Sequence, residues 1–157
     1  MSHPMFDKHR ATIDSALNAI ATRGYWAAFN EMPSPRAYGE TAPEDGKKAF
    51  EAHLGKQFEL GQPGQNGWTG GEKSPYGVEL NVQYPVCDHA TLIAAGEKAM
   101  DGWQKVGAEG RTGICVEILD RLNKQSFELA HAVMMTTGQG WMMAFQAGAP
   151  HAQDRGL

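Results

Sequence analysis

Apolar positions recur along this chain with two different periods, and the changes of period mark out its elements. Over positions 7 to 23, Ile13, Leu17 and Ile20 fall at helical spacing and Gly24 offers a stop, which predicts an amphipathic helix. The stretch from Tyr25 to Tyr38 holds two prolines and several aromatics and reads as an ordered connection laid on other surface. A short second helix is expected from about Pro43, a residue suited to a first helical turn, through Lys47, Ala49 and Phe50 to Gly55. The period then becomes two. Val78, Leu80, Val82 and Tyr84 alternate with polar residues, which predicts a half-buried strand over 78–84, ended by Pro85 and paired with 57–60. Between those flanks, GQPGQNGWTGG at 61–71 packs five glycines and a proline into eleven residues, and reads as a loop or reversal.

Helical spacing returns after Pro85. Asp88 is a good N-cap, Leu92, Ala95, Ala99 and Trp103 share a face, and a stop is expected near Gly107. A further helix over 108–123 carries Ile114, Cys115, Ile118, Leu119 and Leu122 on one stripe, which places Cys115 in the core. Ser126 is expected to cap a helix with Leu129, Ala130, Val133 and Met134 that ends at Gly138. Another begins at Trp141, rich in Met, Ala and Phe, and runs to about 149. The expected fold class is mostly α with a short β-strand pair.

At 157 residues the chain has the length of one domain. Its net charge of −4 and the lack of any Lys/Arg run longer than two argue against a nucleic-acid partner. Leu129 to Gln153 contains no Asp, Glu, Lys or Arg, yet Gly138, Gln139, Gly140, Gln146, Pro150 and His151 interrupt it. Two short buried helices with a glycine break describe it better than a membrane span. Two cysteines, Cys87 and Cys115, make no disulfide framework, and with no signal-peptide pattern the expected setting is the reducing cytoplasm. The last thirty residues are the most apolar of the chain and helix-like up to Leu157. They are expected to leave a face for a partner, or for the rest of a larger protein.

Candidate chemistry is sparse. Cys87, just before the Asp88 cap, sits where a helix N-terminus would stabilise a thiolate, so a thiol-dependent activity is one reading and a small junction residue the plainer one. No pair of the histidines His3, His9, His53, His89, His131 and His151 has i, i+4 spacing, and no HExxH or CxxC occurs, so no metal is expected. His131 reads as a satisfied helix-face residue. Gly61, Gly64 and Gly67, and the Gly138-Gln139-Gly140 triplet, have the wrong spacing or context for phosphate loops and read as turns. The pairs Met134-Met135 and Met142-Met143 fit core packing or the wall of an apolar channel.

The run from Ala94 to Gln139 resembles the first helices of the aldehyde dehydrogenase superfamily. Ala94-Ala95, Ala99-Met100 and Trp103 match, as do Arg111 with Ile114, Ile118, Leu119 and Leu122, then Phe127 to Ala130. Thr137-Gly138-Gln139 stands where the family usually has Gly-Lys. The segments 25–35 (YWAAFNEMPSP), 113–123 (GICVEILDRLN) and 142–157 (MMAFQAGAPHAQDRGL) are similar to the aldehyde dehydrogenases of phenylacetic acid degradation, the PaaN type. The resemblance implies an N-terminal portion of an α/β cofactor-binding domain, divided as a helical extension (1–55), a Gly-rich loop with strands (56–86) and helices of the cofactor domain (87–157). It implies NAD or NADP in the complete enzyme, with none held by this segment alone. It also implies a ring-opened semialdehyde oxidised to its acid, a homo-oligomer, and catalytic residues that all fall outside this sequence. No catalytic or cofactor-binding residue is carried over. Met142, Met143, Gln146 and His151 are the candidates for the substrate-tunnel wall. The competing expectation is a stand-alone helical interaction module with an apolar C-terminal face.

Overall fold

The computed structural model describes residues 3–157. Helix α1 (Pro4–Thr22) starts with proline in its first turn, where no N–H is needed, and His3 accepts the Met5 N–H at its entry. It starts three residues before the expected position and ends on Arg23, which adopts a left-handed conformation ahead of Gly24. A single turn, α2 (Pro35–Tyr38), interrupts the aromatic connection, and α3 (Ala42–Glu51) follows. Strands β1 (Gln65–Thr69) and β2 (Tyr84–Cys87) form one antiparallel pair, with Trp68 opposite Pro85 and a bulge between Gln65 and Gly67. Five helices complete the chain: α4 (His89–Lys105), α5 (Gly107–Lys124), α6 (Ser126–Thr137), α7 (Trp141–Gly148) and α8 (Pro150–Gly156).

The fold is mostly helical with a two-stranded sheet, as expected, but the strands are displaced. β1 lies inside the glycine-rich stretch, expected as a loop or reversal, and β2 runs through Pro85, expected as a terminator. A two-stranded pair consists of edges alone, so the proline's missing N–H need not cost a ladder bond. The alternating run at 78–84 is no regular strand, because Asn81 takes a left-handed φ of 50° and turns the chain. Leu80 and Val82 are still buried while Val78 is exposed. The expected pairing with 57–60 survives as one parallel bridge between Gln57 and Gln83.

Two apolar clusters hold the helices. Phe50, Leu80 and Val82 form one, joined by Leu54, Phe58 and Met135; Phe127, Ala130 and Phe145 form the other, joined by Tyr38 and Trp141. Phe145 is fully buried, and burying a side chain of that size stabilises by about 1.5–3 kcal/mol. Close crossings require glycine. A Cβ on Gly46 of α3 would lie 2.3 Å from Phe127 Cβ, and one on Gly113 of α5 would lie 2.3 Å from the Phe6 nitrogen.

That second crossing turns part of the expected α5 stripe outward, leaving Ile114 and Leu119 half-buried. The buried face of α5 is Gly110, Gly113, Val116 and Glu117, because α1 lies on the glycines. Cys115, Ile118 and Leu122 point outward, so Cys115 is exposed rather than core. The apolar end of the chain is only partly open: Ala144, Phe145, Ala149 and Pro150 are buried within the molecule, while Met142 and Met143 stay exposed. Ser126 is buried as well, and its hydroxyl donates to the Asn123 carbonyl instead of capping α6. Gly138 ends α6 in the left-handed conformation, and the turn it opens leads into α7.

Candidate functional site

Two of the four tunnel-wall candidates converge on one residue that the sequence did not single out. His151, in the first turn of α8, lies with Nε2 2.8 Å from Glu31 Oε2, and Gln146 Nε2 of α7 donates to the Glu31 carbonyl at 3.4 Å. Asp154, one turn after His151, accepts the N–H groups of Ala28 and Phe29 at 2.9 and 3.2 Å through Oδ1. The aromatic connection is thereby strapped across α7 and α8. Between strap and α8 lies a groove of about 940 Å³ lined by Tyr25, Trp26, Phe29, Met32, His151 and Arg155. Met142 and Met143 are exposed on the outer side of α7 and do not line that groove.

Behind the strap sits a polar cluster that also escaped sequence reasoning. The Tyr38 hydroxyl donates to the Asn30 carbonyl, and Asn123 Nδ2 donates to Gln153 Oε1 at 2.9 Å and to the Tyr38 oxygen at 3.4 Å. Burial raises the Tyr38 pKa above 10.0, keeping the phenol protonated as a donor. These partners lie 85 or 30 residues apart in the chain, or on an irregular segment, so no local spacing announces them.

The strongest electrostatic feature ties α1 to α5. Glu117, buried on α5, receives Lys8 Nζ and His9 Nε2 on Oε2, each at 2.6 Å, and Arg121 Nε on Oε1 at 2.9 Å. Hydrogen bonds from Lys8, then Arg121 and His9, hold its carboxyl far below the usual carboxylate range. Arg121 lies one turn from Glu117 and is legible in sequence; Lys8 and His9 are not. The cluster holds structure together: its single carboxylate is saturated with donors.

The remaining candidates stay apart. Cys87 Sγ lies 3.8 Å from Gln62 Oε1, and no hydrogen bond joins it to His89 among the described residues. Asp88 caps α4, accepting the Thr91 N–H at 2.8 Å and its hydroxyl at 2.6 Å, and those bonds lower its pKa. His131 is held between rings, stacked on Phe50 with centroids 6.2 Å apart and tilted against Trp141 at 4.6 Å. Burial lowers its pKa below 6.5. The Gly138-Gln139-Gly140 turn is pinned by Tyr76, whose hydroxyl lies 3.2 and 3.1 Å from the Gly138 and Gln139 carbonyls. Among the described residues no three His, Cys, Asp or Glu side chains are grouped as metal ligands, and no helix is long and apolar enough to cross a membrane.

A solved structure shares this arrangement. The chain superposes on an NAD-dependent aldehyde dehydrogenase from Burkholderia multivorans with a TM-score of 0.95 and 54% sequence identity. That match covers 99% of this chain and 28% of the other, so the fold is that of a fragment of an aldehyde dehydrogenase domain. No family model and no curated protein matches the chain.

Proposed function

We propose that this chain is the N-terminal portion of an NAD(P)-dependent aldehyde dehydrogenase of the phenylacetate-degradation type, oxidising a ring-opened semialdehyde to its acid. The 54% identity maintained over 99% of the chain carries the aldehyde dehydrogenase part of the reading; its phenylacetate part rests on the resemblance of segments 25–35, 113–123 and 142–157. The neighbour's description favours NAD over NADP. In this reading 1–55 is a helical extension, 56–86 the glycine-rich and strand region, and 87–157 helices of the cofactor domain. The complete enzyme is a cytoplasmic homo-oligomer, and the pair of free thiols, Cys87 and Cys115, suits that compartment.

The residues present support a scaffolding contribution rather than a catalytic one. Family chemistry needs a thiolate to attack the aldehyde carbon and a base to activate water. Here the one hydrogen-bond partner of Cys87 Sγ among the described residues is a glutamine oxygen, and Cys115 lies on the outer face of α5. What α7 and α8 supply is wall: Met142 and Met143 offer adaptable apolar surface, and Gln146 and His151 fix the strap through Glu31. The test is a chimera in which this chain replaces the 54% identical stretch of the Burkholderia enzyme. Aldehyde-driven NAD reduction is expected from the chimera and none from the 157-residue chain alone. A folded chimera without that activity, or activity in the chain alone, overturns the reading.

A further inference from the structure

Asn66 is the residue at which the β1–β2 ladder slips. Gln65 faces Cys87 and Gly67 faces Val86, so Asn66 falls between two consecutive partners and has none of its own. A bulge of this kind frees the extra residue from the extended geometry that regular pairing imposes. Asn66 is exposed, and the residue after it is glycine, whose nitrogen has no Cβ beside it to act as a shield. A Cβ on Gly67 would meet only Val86 Cβ, at 4.0 Å. No side-chain hydrogen bond restrains Asn66 among the described residues, whereas Asn30 accepts the Met32 N–H at 2.8 Å, Asn81 donates to Glu79 at 3.3 Å and Asn123 donates to Gln153 at 2.9 Å. The remaining asparagine, Asn18, lies inside α1.

We infer that Asn66 is a site of spontaneous deamidation, through a cyclic imide closed by the Gly67 nitrogen. That nitrogen attacks Asn66 Cγ; the new C–N bond replaces the Cγ–Nδ2 bond, and ammonia leaves with the proton of the Gly67 N–H. Water then opens the five-membered ring. Opening at Cγ leaves aspartate, and opening at the main-chain carbonyl leaves isoaspartate, with one extra atom in the backbone. An intramolecular attack depends on how readily the two atoms reach each other, which the bulge permits and a regular ladder hinders. Either product puts a negative charge into β1, and isoaspartate also lengthens it. That strand lies beside the start of α4: the Gly64 carbonyl accepts the Asp88 N–H at 2.9 Å, and a Cβ on Gly64 would lie 2.8 Å from Thr91 Cβ. Modification therefore falls two residues from the contact that seats the α4 cap. The inference does not depend on the function proposed above.

The test incubates the 157-residue chain at neutral pH and follows tryptic peptide 57–73 by mass spectrometry for a gain of one dalton. The same peptide in free form sets the unrestrained rate. Conversion in the folded chain is expected at no less than about one tenth of that rate, with aspartyl and isoaspartyl products separated by chromatography. Asn81, followed by the branched Val82, stays intact in the same digest. Gly67→Ala is expected to slow conversion at least about fivefold, because its methyl group crowds the attacking nitrogen. Asp45 reports on the fold. It too precedes a glycine, but Gly46 is packed against Phe127, so its isomerisation is expected to run at least about tenfold slower than in its own free peptide. Conversion at Asn66 below its threshold overturns the inference, as does a smaller slowing in Gly67→Ala. Loss of protection at Asp45 overturns it as well, since the reactivity would then belong to an unfolded chain and not to the bulge.

Discussion

At Glu117 a single carboxylate serves two helices. Lys8 and His9 approach it from α1 and Arg121 from its own helix, and together they depress its pKa below the ordinary 4.5. In the unfolded chain those donors are gone and the carboxyl binds its proton more readily. The folded state therefore gains stability from this group above about pH 4.5 and loses it progressively as pH falls toward the depressed folded value. Glu117→Gln is expected to lower the urea midpoint at neutral pH and to flatten its fall on acidification, measured by circular dichroism from neutral pH to pH 3. A variant retaining the wild-type slope would assign the acid sensitivity elsewhere. Only part of this was readable beforehand. Glu117 and Arg121 are one helical turn apart, whereas Lys8 and His9 lie more than a hundred residues away, brought in by a crossing that no local pattern encodes.

Glycines separate the two kinds of helix surface in this fold. On α5, Gly113 lets the α1 backbone approach, and a methyl group there meets the Phe6 nitrogen at 2.3 Å. Gly113→Ala is expected to cost about 1–3 kcal/mol, the usual range for overpacking a site that cannot give. Gly102, inside α4, has nothing within 4 Å of its Cβ position. Gly102→Ala is expected to stabilise the chain by about 0.5–1 kcal/mol, since alanine removes glycine's excess conformational freedom. Urea denaturation of both variants checks the pair; equal effects would mean that the α1–α5 contact is not tight. The same crossing explains why Cys115, Ile118 and Leu122, which periodicity places in the core, face outward. Periodicity finds an apolar side of a helix, but a backbone-to-backbone contact on glycines leaves almost no apolar signature. In α4 the periodicity was right about which side is apolar, and silent about whether this chain holds anything to cover it.

Across the whole molecule, α6 joins the two clusters, and His131 stands between them with Phe50 on one side and Trp141 on the other. Its pKa is depressed chiefly by burial, with Lys47 adding to the effect. The unfolded chain takes up this proton first, so the stability His131 allows is complete above pH 6.5 and falls as pH drops through the lower folded value. His131→Phe is expected to reduce the difference in denaturation midpoint between pH 7.5 and pH 5.5, and an unchanged difference would contradict the placement.

Local chemistry was sufficient to announce most helices, the Asp88 cap and the Gly138 stop, because capping and apolar periodicity act between neighbours a few residues apart. The displaced strands show the limit: β1 pairs with partners 15 to 22 residues away, and Asn81 turns a run of regular alternation. The strap on Asp154, the meeting of Gln146 and His151 at Glu31, and the outward turn of Cys115 all depend on segments distant in the chain coming together. Such contacts arise from packing geometry, which the spacing of residues along one segment does not carry.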